Sequence, residues 1–360
     1  MEDLVTRANV WRGKRVFLTG HTGFKGGWMA LWLAQKGATV RGYALDPPTE
    51  PNLFTMANIG GVIEDIRGDI RDGAKLDVAM REFAPDVVFH LAAQPLVRYS
   101  YDDPLGTFET NVIGTARVLD AVRRTPSVRA VVSVTTDKCY ENKEWIWGYR
   151  ESDPLGGYDP YSSSKACAEL VTAAFRQSYL AESGCAVATA RAGNVIGGGD
   201  WSPDRLIPDL MRGFLAGAPV RIRSPQAIRP WQHVLEPLMG YIQLAEKLLG
   251  DSSDRFATAF NFGPSDDDAQ TVEWIAEHLT GFWGGSASWT LDRDHGVHEA
   301  GYLRLDASRA RAELAWHPRL RLKTTLEWLV DWYKALQSGT DMHEFTLNQI
   351  AAYEALERLP

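Results

Sequence analysis

The sequence predicts an α/β fold: a mainly parallel sheet with helices on both faces, and a smaller C-terminal α/β lobe over the sheet's C-terminal edge. Three observations carry that expectation. Arg15-Val-Phe-Leu-Thr19 is a short apolar strand that runs into Gly20-His-Thr-Gly23-Phe-Lys-Gly26 and then into an apolar helix to about Gln35. Short β-branched runs then alternate with helix-period segments as far as Arg191, the rhythm of βαβ crossovers. Beyond Arg191 that rhythm breaks into short strands mixed with helices.

Residues 1–14 form a polar lead-in. The strand, glycine loop and helix that follow are the context of a dinucleotide-binding turn, which makes the predicted sheet Rossmann-type and doubly wound. Glycines let the backbone turn tightly against a pyrophosphate, and the helix N-terminus offers free N–H groups and a positive dipole end. Gly20, His21, Thr22, Gly23, Phe24, Lys25 and Gly26 are therefore the candidate phosphate cradle. A second strand is predicted over residues 39–45. Asp46 follows it, about 20 residues after the last glycine, where an acid accepts hydrogen bonds from an adenosine ribose. That position favours NAD over NADP, while His21 and Lys25 add positive charge that weakens the preference. A turn before Pro47-Pro48 is the plain alternative for Asp46.

The pattern continues with a strand at 62–67 ending in Gly68-Asp69-Ile70, a helix at 76–83 and a buried strand at 86–90. The latter runs into Leu91-Ala92-Ala93-Gln94, where small residues let the backbone pass close to a flat ligand. A long apolar helix at 107–122, a strand at 128–134 and a sixth strand at 185–191 complete this half. In the second half, helices are predicted at 205–214, 235–249, 272–279, 308–314 and 324–334. Short strands at 220–223, 258–262, 288–291 and 302–305 are assigned to the smaller lobe, and the tail after Gly339 to a docked helix.

Composition narrows the class. The 360 residues are enough for one large domain or two interleaved ones, and a net charge of −8 argues against a nucleic-acid binder. Cys139, Cys167 and Cys185 fit no disulfide framework, and no leader or run of ~18 apolar residues occurs, so a reduced, cytoplasmic protein is expected. His295-x-x-His298-Glu299 lacks a third strong ligand, so no metal is expected. Thirteen Trp is a high count, and Trp145, Trp147, Trp201 and Trp231 stand in loops, either lining a pocket or plugging structure.

The chemistry concentrates between Val134 and Lys165. Thr136-Asp137-Lys138 follows the fifth strand, and Tyr161-Ser-Ser-Ser-Lys165 opens a helix on which Tyr161 and Lys165 share one face. Thr136, Asp137, Lys138, Tyr161 and Lys165 are thereby expected to converge on one pocket as the catalytic set. A free tyrosine titrates near ~10, too high for a base at neutral pH. Lys165 one turn away, with a cationic cofactor, would favour the phenolate.

These strings resemble the extended short-chain dehydrogenase/reductase superfamily: the glycine loop, His90-Leu-Ala-Ala, Asn111-Val-x-Gly-Thr and Tyr161-x-x-x-Lys165 occur in that order over essentially the whole chain. Longer strings are similar to the CDP-glucose 4,6-dehydratase family. They are Gly20-His-Thr-Gly-Phe-Lys-Gly26, Ala92-Ala-Gln-Pro-Leu-Val-Arg98, Thr136-Asp-Lys-Cys-Tyr140, Trp145-Ile-Trp-Gly-Tyr-Arg150, the Arg191–Trp201 stretch and Arg229-Pro-Trp-Gln-His-Val234. The resemblance implies conversion of CDP-glucose to CDP-4-keto-6-deoxyglucose with bound NAD and no net redox change. It implies residues 1–192 as mainly the NAD domain and 193–360 as mainly the nucleotide-sugar lobe, with some segments interleaved. It adds Asp69, Ile70, Leu91, Ala92 and Ala93 to the cofactor contacts, beside Tyr161 and Lys165. It assigns Gln94, Asn194, Leu206, Ile207, Arg229 and Tyr302 to the substrate. Thr136-Asp137-Lys138 stands where related dehydratases carry Thr-Asp-Glu, a change shared by the CDP-glucose branch.

The expected cycle has three steps. Tyr161 takes the 4-hydroxyl proton as C4 gives hydride to NAD, with Thr136 on O4; a base removes the C5 proton while Asp137 protonates the departing 6-hydroxyl; hydride then returns to C6 and C5 is reprotonated. Lys138 serves as that base only where its surroundings favour the neutral amine; otherwise it orients the sugar and another group acts. A nucleotide-sugar 4-epimerase or decarboxylase would share the oxidation but needs no acid for a 6-hydroxyl. A nucleotide-sensing protein without activity would be expected to lose Thr136, Tyr161 or Lys165. The helix at 107–122 and the one after Tyr161 carry surplus apolar residues (Val112, Ile113, Val118, Leu119, Ala166, Leu170, Val171, Phe175), which predicts a homodimer or dimer of dimers.

Overall fold

Among the described residues seven strands form one sheet: β1 (Arg15–Thr19), β2 (Thr39–Ala44), β3 (Glu64–Arg67), β4 (Val87–His90), β5 (Ala130–Val134), β6 (Ala186–Ala192) and β7 (Ala259–Phe262). The structure, a computed structural model, describes residues 9–292 and 302–357. The strand order is β3-β2-β1-β4-β5-β6-β7, and every pairing is parallel. β4, β5 and β6 are buried along their whole length, as a sheet covered on both faces requires. Successive side chains alternate between two cores. Val16, Leu18, Val87, Phe89 and Val132 pack toward the Phe24–Gln35 and Leu235–Leu248 helices. Phe17, Val88, Val131 and Val187 pack toward Leu76, Met80, Val118 and Leu119 of the helices Gly73–Phe83 and Gly114–Arg123. The order reverses between β1 and β4, which opens a crevice beyond the strands' C-terminal ends, the usual place for a ligand in such sheets.

Two expectations change. The 258–262 segment was expected in the smaller lobe; it is β7, paired in parallel with β6, because Phe260, Asn261 and Phe262 are all buried at the sheet edge. The 302–305 strand does not form: Leu305 makes a single bridge to Tyr149, and Leu303 and Leu305 instead plug a small core with Tyr140 and Tyr149. The long 107–122 helix starts earlier, at Pro104–Phe108, and passes through a π turn at Glu109–Ile113 before Gly114–Arg123. A Cβ on Gly114 would lie 2.6 Å from Ile70 Cδ1, so glycine lets the Ile70 side chain lie against the helix.

Among the described residues the smaller lobe holds three two-stranded ladders: Val195–Ile196 with Gln232–His233, Val220–Ile222 with Trp289–Leu291, and Ile228–Pro230 with Ala269–Thr271. The tail is a helix, Met342–Ala355, docked on the Phe24–Gln35 helix; Tyr353 meets Trp32 edge-on at 5.7 Å. Glu236 anchors it from inside, accepting the Arg319 and Leu320 backbone N–H groups and the Tyr353 hydroxyl at 2.7–2.8 Å.

Candidate active site

The glycine loop is built by close approach. Gly20 has φ +80°, and a Cβ there would lie 2.7 Å from the Ala92 nitrogen; one on Gly26 would lie 2.1 Å from the Gly20 carbonyl oxygen. Gly23 caps the Phe24–Gln35 helix, which has no acidic residue in its first turn. Thr19 Oγ1 accepts the Leu91 and Ala92 N–H groups at 3.1 Å each and pairs with the buried His90 ring at 2.8 Å. His90 is thus a structural post: burial first, then the Lys165 charge, pushes it down to about 3. His21 faces away from the loop's mouth. Its Nε2 meets Asp65 at 2.8 Å, and its ring covers Gly42, where a Cβ would sit 2.3 Å away.

Thr136, Asp137, Tyr161 and Lys165 are all buried and lie together at the ends of β5 and the Pro160–Phe175 helix; Lys138 is half-buried beside them. Asp159 caps that helix by accepting the Ser162 N–H at 2.9 Å, and Asn111 fixes its first turn through Ser164 Oγ at 2.9 Å. Thr136 Oγ1 donates to Asp137 Oδ1 at 2.9 Å and shares a hydrogen bond with Tyr161. Asp137 Oδ2 has no partner among the described residues, and it lies where a Cβ on Gly193 would come within 1.9 Å. Burial pushes Tyr161 up to about 12 against the Thr136 hydrogen bond and the Arg205 charge. Burial pushes Lys165 down to about 8 against Glu169, and its amine donates to the Val134 carbonyl at 3.4 Å. Lys25 reaches the same region; burial, Arg205 and Lys165 push it down to about 7.

Behind the set lies an ion pair that the sequence reading missed. Glu169, one turn past Lys165, accepts Arg191 Nε at 2.9 Å and Nη2 at 2.8 Å, Thr135 Oγ1 at 2.5 Å and Thr189 Oγ1 at 2.7 Å. Arg191 also donates to the Tyr140 hydroxyl at 2.7 Å. The available signal was the spacing: Tyr161, Lys165 and Glu169 recur every fourth residue on one buried face. Arg205 was missed too; its signal was its place immediately before Leu206-Ile207.

Other predicted residues fall into place differently. Gln94 is consumed by its own loop, with Nε2 on Leu96 O at 3.1 Å and Thr107 Oγ1 at 2.9 Å, and Oε1 on the Leu96 N–H. Asp46 is exposed at the end of β2, with Arg67 Nη1 3.7 Å away. The Asp69 carboxylate is held by Arg71 at 2.7–2.9 Å, and Ile70 is buried. Asn194 takes a left-handed conformation at φ 44° and accepts the Gln232 N–H through its carbonyl at 3.2 Å. Leu206 and buried Ile207 open the Leu206–Ala216 helix, while Arg229 is buried and donates to the Ile228 carbonyl at 2.9 Å. The Tyr302 hydroxyl donates to the Ile146 carbonyl at 3.2 Å and accepts from Arg304 at 2.9 Å. Of the loop tryptophans, Trp201 and Trp231 are buried plugs, and Trp147 is exposed.

The His295, His298 and Glu299 string lies outside the described residues. The three cysteines are unpaired, and burial pushes Cys185 up to about 12. Among the described residues no helix is long and apolar enough to cross a membrane. Of the residues expected at a subunit face, Val118, Leu119 and Ala166 are buried within one chain, because they point at the sheet; Ile113 and Leu170 stay 49% and 60% exposed.

A parallel sheet with a glycine turn after β1 and a Tyr–Lys pair one helical turn apart beside β5 defines an extended short-chain dehydrogenase/reductase. The sequence model described as GDP-mannose 4,6 dehydratase matches residues 17–329, and the chain belongs to that family. A CDP-glucose 4,6-dehydratase of Salmonella typhimurium is 53% identical over 350 residues, 96% of this chain and 97% of that one. A dTDP-glucose 4,6-dehydratase of Xanthomonas campestris pv. campestris is 29% identical over 89% of this chain and 93% of its own. The solved structure of a UDP-glucose 4-epimerase from Thermotoga maritima shares the fold, with a TM-score of 0.77 at 21% identity over 90% of this chain and 99% of that one.

Proposed function

We propose that this protein dehydrates CDP-glucose to CDP-4-keto-6-deoxyglucose, using bound NAD with no net redox change. The observation that carries the reading is Asp137, a buried carboxylate with one oxygen on Thr136 and the other without a partner among the described residues, set beside the Tyr161–Lys165 pair. Oxidation at C4 alone needs no such acid; expulsion of a 6-hydroxyl does. The 53% identity to the Salmonella typhimurium CDP-glucose enzyme supports the choice of nucleotide.

The residues fit NAD, since Gly20 and Gly26 let the turn fold tightly on its own backbone ahead of a helix whose first turn carries no acidic residue. Gly20–Gly26 would hold its pyrophosphate and Asp46 its adenosine ribose, with Asp69, Ile70, Leu91, Ala92 and Ala93 beside it. Bound NAD would supply the acceptor for the C4 hydride and the donor of the same hydride to C6, and its positive charge would favour the Tyr161 phenolate. Tyr161 takes the 4-hydroxyl proton and Thr136 holds O4. Lys165 keeps a positive charge one turn away, sustained by Glu169 against the burial that weakens it. Asp137, carrying a proton, gives it to the departing 6-hydroxyl, and Lys138 is our candidate for the C5 proton. Arg229, Asn194, Leu206, Ile207 and Tyr302 are assigned to the nucleotide-sugar side, with 193–360 as the lobe that carries most of it. The exposed Ile113 and Leu170 favour a homodimer, and three unpaired cysteines favour the cytoplasm.

The test is incubation of the purified protein with NAD and CDP-, dTDP-, UDP- and GDP-glucose, following loss of one water by mass. A specificity constant for CDP-glucose well above the others is expected. Equal constants for CDP- and dTDP-glucose would defeat the substrate assignment, and a 4-epimer without water loss would defeat the dehydration.

A further inference from the structure

The Thr136-Asp137-Lys138 turn is fastened at both ends to one buried ion pair. Just before it, Thr135 Oγ1 donates to Glu169; just after it, the Tyr140 hydroxyl accepts Arg191 Nη1 at 2.7 Å. Glu169 stands on the Pro160–Phe175 helix that carries Tyr161 and Lys165, and the turn packs directly on that helix. The Tyr140 hydroxyl has a second bond, donating to Asn261 Oδ1 of β7 at 2.7 Å. Its ring stacks on Tyr149 at 5.2 Å and lies 4.9 Å from the Arg191 guanidinium. Tyr140 is buried, and phenylalanine would fill the same space and keep the stack, so packing accounts for the ring but not for the hydroxyl. Stability does not account for the ion pair either, since apolar replacements of such pairs are often neutral. What a two-bond arginine–carboxylate pair adds is fixed geometry. Through Glu169, Arg191 and Asn261 the turn is tied to one helix and two strands at once.

We propose that Tyr140 is a positioning residue: its hydroxyl, held between Arg191 and Asn261, sets the register of the Thr136-Asp137-Lys138 turn against the helix that carries Tyr161 and Lys165. The inference rests on the dehydratase reading above for its substrate. Tyr140 touches no reacting atom and acts through the turn. Thr136 and Tyr161 have to meet one sugar oxygen from two different elements, so a slide of the turn along the helix spoils both contacts together. A misplacement of about 1 Å costs on the order of 10²-fold in rate. The nucleotide half of the substrate is assigned to the smaller lobe and draws nothing from this contact.

The test uses full-length Tyr140→Phe with NAD and CDP-glucose in single-turnover mode, reading NADH absorbance for oxidation, with calorimetric titration of CDP for binding. Oxidation slowed about 10–100-fold is expected, with CDP affinity within about threefold of wild type. The Thr136 hydrogen bond favours the Tyr161 phenolate, so its loss should move the rising limb of the oxidation rate to higher pH. Arg205, Asp137 and Asp159 also face that phenol, with Lys165 one turn away, and the variant alters none of them. Thr346→Val is the control for lost stability, since it takes the acceptor from the buried Trp332 indole N–H in the tail helix, and it should oxidise the sugar at the wild-type rate. Oxidation by Tyr140→Phe within about twofold of wild type, or a pH limb that stays in place, would overturn the proposal. So would CDP affinity that falls as far as the rate, or equal slowing in Thr346→Val, either of which makes Tyr140 merely structural. Wild-type protein that loses no water from the sugar would overturn the dehydratase reading first and this inference with it.

Discussion

Replacing Arg191 by methionine tests the support beneath the catalytic set. Arg191 and Glu169 are each only 4% exposed, and the guanidinium supplies two of the four hydrogen bonds on that carboxylate. Arg191→Met leaves a buried anion with two hydroxyl donors, a loss of about 3–5 kcal/mol for a broken buried pair. With an unfolding entropy of ~2.1 cal/mol/K per residue, 360 residues give about 0.76 kcal/mol/K, so the melting temperature should fall by about 4–7 °C. The sign with pH follows from Glu169. Burial opposes its ionisation, but Arg191, Thr135 and Thr189 hold the wild-type group below its ordinary value. The wild-type pair therefore stabilises above the unfolded carboxylate range and loses that contribution as pH falls through the folded value. Without Arg191, burial prevails and the carboxyl rises, so the deficit is largest near pH 8 and shrinks toward pH 5. The double variant Arg191→Met/Glu169→Leu should recover most of the loss, since an apolar pair replaces a buried ionic one at little cost. Thermal melts at pH 5, 6.5 and 8 decide the matter. A single variant that melts like wild type at pH 8, or a double variant no better than the single, would refute the reasoning.

Three further outcomes are expected. Tyr161→Phe should form neither NADH nor product in single-turnover absorbance, whereas Asp137→Asn should accumulate NADH while dehydration slows by on the order of 10²–10⁴-fold; an Asp137→Asn variant that binds sugar but forms no NADH would move Asp137 into the oxidation step. Gly193→Ala places a Cβ 1.9 Å from Asp137 Oδ2 and should impair elimination more than oxidation, checked in the same assay. Glu236 is pushed up to about 7 by burial, against three hydrogen bonds, so its contribution is full below the unfolded value and lost as pH rises to about 7; Glu236→Gln should melt above wild type at pH 8 and lose that advantage by pH 4.5.

The glycine turn and the Tyr161–Lys165 face were legible because both are local patterns: spacing alone fixes them. Thr136 and Asp137 were legible because a β-branched strand delivers whatever follows it to the sheet's C-terminal end. The Gln94 partners, Leu96 and Thr107, were not legible because they follow from a loop path that no periodicity encodes. Arg191 looked like the end of an apolar strand, and its partner lies 22 residues earlier on a helix, a pairing visible only in space. The 302–305 run has strand-forming leucines, but its neighbour is the Tyr149 loop rather than a strand, so it stays irregular.

The last strand of the sheet arrives late in synthesis. When residue 192 has been made, six strands are available, but β6 presents Ala186–Ala192 as an open, uncharged edge apart from Arg191. Its partner begins only at Ala259, and the helix covering β5 and β6 at Leu235. At ~5–20 residues per second, that edge waits roughly 4–14 s on the ribosome before it is paired. An unpaired apolar edge of this kind recruits other strands. The nascent chain therefore has a window in which chaperone capture competes with aggregation, and a fragment ending at residue 192 would keep that window open permanently.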